Sequence, residues 1–155
     1  MLDLIIKNGS CYIDKDLKDQ DIAIKDGKII KIGKIDNEAK EVFDAKGLTV
    51  LPGCIDTQTH FREPGSTDTE DLHSGSRAAI VGGITSVFEM PNTNPPTSTK
   101  VEFQKKLDLA KNRMYCNYAF YFGATADNAS ELADLVNLEG CCGIKLFAGS
   151  STGNL

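Results

Sequence analysis

Residues 55–65 read Ile55-Asp56-Thr57-Gln58-Thr59-His60-Phe61-Arg62-Glu63-Pro64-Gly65, and the fold turns on them. A β-branched run ends in an imidazole, and an arginine follows two residues later. Proline and glycine then turn the backbone away. This order puts a potential metal ligand and a carboxylate-binding guanidinium side by side at a strand end, the place where α/β barrels keep their chemistry. Alternate residues of a strand share a face, so positions 58 and 60 aim together. Position 58 is a glutamine where the pattern invites a second histidine.

Downstream of Pro52-Gly53 the rhythm is strand, loop, helix. Cys54 to Asp56 closes a first strand. Thr67-x-x-Glu70 predicts a capping box for a helix through Leu72, Ala78 and Ala79, which Gly82-Gly83 stops. Thr85 to Glu89 reads as the next strand, followed by the proline-rich loop Pro91-Asn92-Thr93-Asn94-Pro95-Pro96. Ser98 or Thr99 caps a second helix with Phe103, Leu107 and Ala110 on one face. A third strand spans Asn117 to Phe122. A helix with Leu132, Leu135 and Val136 comes next, and Gly143 to Phe147 is the fourth strand. Strands alternating with helices imply right-handed βαβ units and a parallel sheet.

Upstream, residues 1–50 read as β-structure without helices. Asn8-Gly9 signals a turn. Ile22, Ile24, Ile30 and Ile32 alternate with polar residues on either side of Asp26-Gly27, a strong hairpin signal. The expectation is a small antiparallel unit with one wet face over 1–50, then the first half of a barrel over 51–155. A full (β/α)₈ barrel takes ~250 residues.

The chain has 155 residues, is 41% hydrophobic and carries a net charge of −5. That balance disfavours nucleic acid and anionic membrane, which call for a basic face, and no apolar run is long enough to cross a bilayer. Five cysteines without paired spacing argue against a disulfide framework and for reduced thiols, which suits a cytoplasmic protein.

Pro52-Gly53-Cys54-Ile55-Asp56 leading into His60-Phe61-Arg62-Glu63-Pro64-Gly65, then Glu89-Met90-Pro91-Asn92-Thr93 and finally Gly143-Ile144-Lys145, resemble dihydroorotase. This is a cyclic amidohydrolase of pyrimidine synthesis, and the likeness covers essentially the whole chain. It implies an α/β fold: N-terminal β-sandwich strands, then the first four βα units of a metal-dependent hydrolase TIM-type barrel. It also implies reversible ring opening of (S)-dihydroorotate to N-carbamoyl-L-aspartate.

In that family the first barrel strand ends in His-x-His and the fourth carries a carboxylated lysine bridging two metals. The resemblance makes His60 the second histidine and Lys145 the candidate carboxylated lysine. Gln58 replaces the first histidine, and a carboxamide is a weak zinc ligand. One or two Zn²⁺ ions are implied, with reduced occupancy on account of Gln58. Arg62 and Asn92 would hold the carboxylate of dihydroorotate.

No catalytic residue is assigned in this chain, because the family's remaining histidines and its general-base aspartate belong to later strands. The 155 residues alone are therefore expected to be inactive. His73 is placed on the exposed side of its helix without a role, and the acidic cluster at Asp68, Glu70 and Asp71 complements a helix N-terminus. Ala148 to Gly153 reads either as a ligand loop or as a connector.

Two alternatives stand beside the main reading. Gln58 motivates a non-catalytic dihydroorotase-like subunit that stabilises aspartate transcarbamoylase; a homo-oligomer is the other assembly considered. The second alternative is a cyclic amidohydrolase of hydantoinase or allantoinase type, whose substrates lack the carboxylate that Arg62 would meet.

Overall fold

The computed structural model describes residues 1–149. The chain divides after Pro52 into two compact units.

The first unit is a five-stranded sheet built from β1 (Leu2–Ile13), β2 (Asp16–Lys25), β3 (Lys28–Gly33), β4 (Ala39–Asp44) and β5 (Thr49–Val50). Asp26 and Gly27 join β2 to β3 with φ of 51° and 71°, the left-handed pair that a two-residue hairpin needs. The expected purely antiparallel arrangement is corrected. β1, β2 and β3 are antiparallel neighbours, but β4 and β5 run parallel to β1. After β3 the chain crosses to the far side of β1, and Ile35 in the crossing is buried with Leu2, Ile5 and Ala23.

The expected turn at Asn8-Gly9 is also corrected. Both residues lie inside β1, where the register to β2 shifts between Ile6 and Gly9. Asn8 takes φ 60° in this bulge. Its N–H donates to Asp21 Oδ1 at 3.1 Å, and its amide nitrogen donates to Asp44 Oδ1 at 2.8 Å. A turn residue has thus been used to kink a long strand rather than end it. The register aligns Ile6 with Ile22, Ile32 and Phe43, and Leu4 with Ile24 and Ile29. Ile29, Ile32 and Phe43 on this apolar side are exposed, so the open face is not the polar one.

The second unit contains β6 (Cys54–Thr59), α1 (Leu72–Val81), β7 (Ile84–Glu89), α2 (Lys100–Ala110), β8 (Asn117–Gly123), α3 (Leu132–Leu135) and β9 (Cys141–Lys145). Its strands form one parallel sheet in the order β6-β7-β8-β9, a partial half-barrel. The helices bury Leu72, Phe103 and Leu135 against Val87, Phe120 and Phe122 of the strands. Among the described residues, no helix is long and apolar enough to cross a membrane.

Asp71, not Thr67, caps α1. Its Oδ1 accepts the Ser74 N–H at 2.6 Å, and Ser74 Oγ accepts the Asp71 N–H at 3.1 Å. The acidic side chain and a serine three residues on form the reciprocal box that Thr67 and Glu70 were expected to make. Thr99 caps α2 as expected, accepting from the Glu102 N–H at 3.2 Å. The helix expected around Leu132 to Val136 shrinks to one turn after a 3₁₀ turn at Ala129–Glu131. The nearby Asn128 is engaged elsewhere, its amide donating to the Ser98 and Gly123 carbonyls at 3.0 and 2.9 Å, so neither short helix has a side-chain cap.

Gly75 lets α1 close on the segment that follows β6. A Cβ there would meet the Phe61 ring, with Cε1 at 2.8 Å and Cγ at 3.0 Å. Helix propensity alone would make Gly75→Ala stabilising. We expect the overlap to win, with a net loss of about 1–3 kcal/mol in chemical denaturation. Unchanged or higher stability would rule out the close approach.

Candidate functional site

Because β6 to β9 are parallel, every residue at the end of one strand lies at the same edge of the sheet. Gln58 is the penultimate residue of β6, and His60 and Arg62 follow its end. Asn92 stands three residues beyond β7, and Lys145 is the last residue of β9. The five residues named from the sequence therefore share the C-terminal rim, where barrel enzymes place their chemistry.

His60 and Asn92 are in direct contact. His60 Nδ1 lies 3.0 Å from Asn92 Oδ1. An amide oxygen only accepts, so Nδ1 carries the proton and the Nε2 lone pair is left available. Burial pushes the ring's pKa below its usual value, against the upward pull of Asn92. The positive charges of Arg62, Lys106 and Lys145 push it down further. Asn92 is thus at least partly an orienting partner of His60, a role the sequence reading did not give it.

Arg62 is exposed and takes φ 60°, a left-handed conformation uncommon outside glycine and asparagine. Its neighbours fix that backbone. Phe61 is buried in the helical core, and Glu63 is clamped by Arg113 through contacts of 2.8 and 3.1 Å. Glu63 Oε2 also accepts the Leu72 N–H at 2.8 Å, tying the loop to the start of α1. The Asn94 N–H donates to the Pro64 carbonyl at 2.9 Å, which joins this loop to the proline-rich one.

Beneath the rim, on the helical side of the sheet, lies a pair the sequence reading missed. Lys106 Nζ sits 2.6 Å from Glu89 Oε2, with both side chains essentially inaccessible. Neither Glu89 oxygen has a partner in hydrogen-bond geometry. Burial pushes Glu89 up to about 7 against the opposing pull of Lys106, and it pushes Lys106 down against the pull of Glu89. The sequence did carry a signal. Lys106 falls in the apolar stripe between Phe103 and Ala110, which are both buried, and Glu89 shares a strand face with the buried Val87.

The donors do not complete a metal site. Among the described residues, no three His, Cys, Asp or Glu side chains gather closely enough to hold an ion. Gln58 is exposed, and Lys145 lies beside the Phe147 ring, its Nζ 5.1 Å from the centroid. His60 supplies one imidazole. Residues 150–153 of the expected ligand loop are outside the described residues.

A half-barrel with an imidazole, a guanidinium and a lysine on its C-terminal rim has the layout of the α/β-barrel class. The amidohydrolase family model matches residues 49–141, and the chain belongs to that family. It is 41% identical over 149 residues to the allantoinases of Escherichia coli strains such as O1:K1 and O81, covering 96% of this chain and 33% of theirs. L-hydantoinase (dihydropyrimidinase) from Arthrobacter aurescens superposes with a TM-score of 0.88 at 33% identity, over 99% of this chain and 35% of that one. D-hydantoinase from a Bacillus sp. AR9 gives 0.80 at 27% identity, over 95% and 33%. The chain spans about a third of the length of these relatives.

Proposed function

We propose that this chain supplies the first four rim segments of an active site for hydrolysis of a cyclic amide, with the substrate class of hydantoinases and allantoinases as the leading reading. The observation that carries it is the His60–Asn92 contact at the C-terminal rim of a parallel half-barrel, together with relatives named allantoinase and hydantoinase. In that reaction one water is consumed and the ring C–N bond breaks. Oxygen ends in a carboxylate, and nitrogen takes a proton. His60 offers Nε2 to the site, Asn92 holds its ring, and Arg62 offers a forked donor to a carboxylate where the substrate carries one. Zinc, where bound, lowers the pKa of water to give hydroxide at neutral pH. The described donors do not complete its site, and no step here runs through it.

A second reading, dihydroorotate as substrate, rests on one residue. Arg62 stands two positions from His60, and its charge reaches that ring, so a substrate carboxylate would find a cation there. The discriminating experiment grafts residues 1–149 in place of the corresponding segment of an E. coli allantoinase, once with Gln58 kept and once with Gln58→His. Ring opening of allantoin, a hydantoin and dihydroorotate is then followed. Activity on none of them, in either graft, would overturn the proposal. If dihydroorotate is the substrate, Arg62→Ala should raise its KM by about 10- to 100-fold, the worth of a charged hydrogen bond. If the ring carries no carboxylate, KM should barely move.

A further inference from the structure

We infer that the buried Lys106–Glu89 pair is a positioning device for the rim, holding the backbone segments that bring His60 and Asn92 together. This rests on the reading of those two residues as site groups. Lys106 reaches from α2 through the helical core, and its Nζ donates to the Met90 carbonyl at 3.1 Å. Met90 begins the loop that carries Asn92. The same ammonium meets Glu89 at 2.6 Å and lies 5.1 Å from the centre of the Phe120 ring. Glu89 is paired across the sheet with Thr59, and the Met90 N–H donates to the Thr59 carbonyl at 3.0 Å. The pair therefore holds Met90, which is tied to the residue before His60 and lies just before Asn92, from the face opposite the site.

Stability does not account for such a pair. Desolvating two ions costs more than their attraction returns in many cores, and an apolar replacement is often neutral or better. What the pair adds is direction: one ammonium aimed at a single backbone carbonyl and held there by the carboxylate of the preceding residue. Thr93 and Thr97 continue this control within the loop. The Thr97 N–H donates to the Pro91 carbonyl at 2.9 Å, and Thr93 Oγ1 donates to the Pro95 carbonyl at 2.9 Å.

The test uses the 155-residue chain, which has only two histidines, His60 and His73. Imidazole ¹⁵N spectra at mildly alkaline pH report which ring nitrogen holds the proton. In the parent chain His60 should be mainly protonated at Nδ1, as its contact with Asn92 requires. The double variant Lys106→Met/Glu89→Leu replaces both ions by apolar groups. It should fold with near-parent stability while His60 loses that tautomer preference, and His73 should be unchanged. Leu135→Ala, a cavity in the same core, should lower stability yet leave His60 as it was. The inference is overturned if His60 keeps its tautomer in the double variant, or if Leu135→Ala shifts it equally. It also fails if the double variant does not fold, since the pair would then belong to the core's stability. None of these readouts needs metal, substrate or turnover. A chain that keeps this signature but supports no hydrolysis would thus defeat the functional reading alone.

Discussion

Lys106→Met alone should cost about 3–5 kcal/mol of stability near neutral pH, the usual penalty for stranding one partner of a buried ion pair. Methionine fills much of the space left by the lysine stem but leaves the Glu89 carboxylate inaccessible and unpaired. The carboxylate has one escape, which is to take up a proton. The loss should therefore shrink by more than about 1 kcal/mol between about pH 8 and pH 5, as the neutral acid replaces the anion. Urea denaturation at the two pH values measures it. An equal loss at both would mean that Glu89 is not held in the dry environment seen here.

The parent chain should carry the same signature in weaker form. Glu89 is raised from 4.5 to about 7, so the folded state binds more protons than the unfolded one between those values. Its contribution is fully present below about 4.5 and is lost as pH rises through about 7. Other groups work in the opposite sense. His60 is depressed, so it gains stability as pH rises through the ordinary histidine range. Asp3, Asp44 and Asp71 are held low by hydrogen bonds from Lys40, Asn8 and Ser74, and their contribution disappears as the medium becomes acidic. Glu89→Gln isolates the first effect. The difference between parent and variant should slope downward with rising pH across about 5 to 7, whatever the other groups do.

How much of this was legible in the residues depended on whether the signal was local. The alternation of strand and helix after Pro52 and the Asp26-Gly27 hairpin rest on periodicity and turn chemistry, and both are present in the structure. The C-terminal placement of His60, Arg62, Asn92 and Lys145 follows from parallel strands, which the βαβ rhythm implies. Pairing across the chain was not legible. Nothing near Ala39 says that β4 will run parallel to β1, because a crossover of a few residues carries no direction signal of its own. Asn8-Gly9 has the composition of a turn and became a bulge, since Asp21 and Asp44, distant in sequence, supplied its hydrogen bonds. The Lys106–Glu89 and Arg113–Glu63 pairs were missed for the same reason: the burial of Lys106 was signalled by its apolar stripe, but each partner sits on a separate element. Substrate identity was read too narrowly. Arg62 points toward a carboxylate, while the relatives that match over nearly the whole chain are allantoinases and hydantoinases.

Gln58→His should raise the chain's zinc affinity by more than the roughly 10- to 100-fold that an outer-shell partner is worth, because it restores a ligand rather than a support. Position 58 lies on β6 and His60 just past its end, and β6 pairs Thr59 with Glu89, whose side chain meets Lys106 of α2 on the helical face. Extended backbone through His60 would send 58 and 60 to the other face together. His60 is already set for coordination, with its Nδ1 proton on Asn92 and its Nε2 bare, whereas Gln58 offers only a neutral oxygen. Titration of the parent chain and the variant with zinc, followed by competition with a chelator, gives the ratio directly. His60→Ala in the variant background should remove the gain, since it leaves a single imidazole at position 58. Equal affinities for the parent and the Gln58→His chain would place the two side chains apart, and the rim would then no longer be a candidate metal edge.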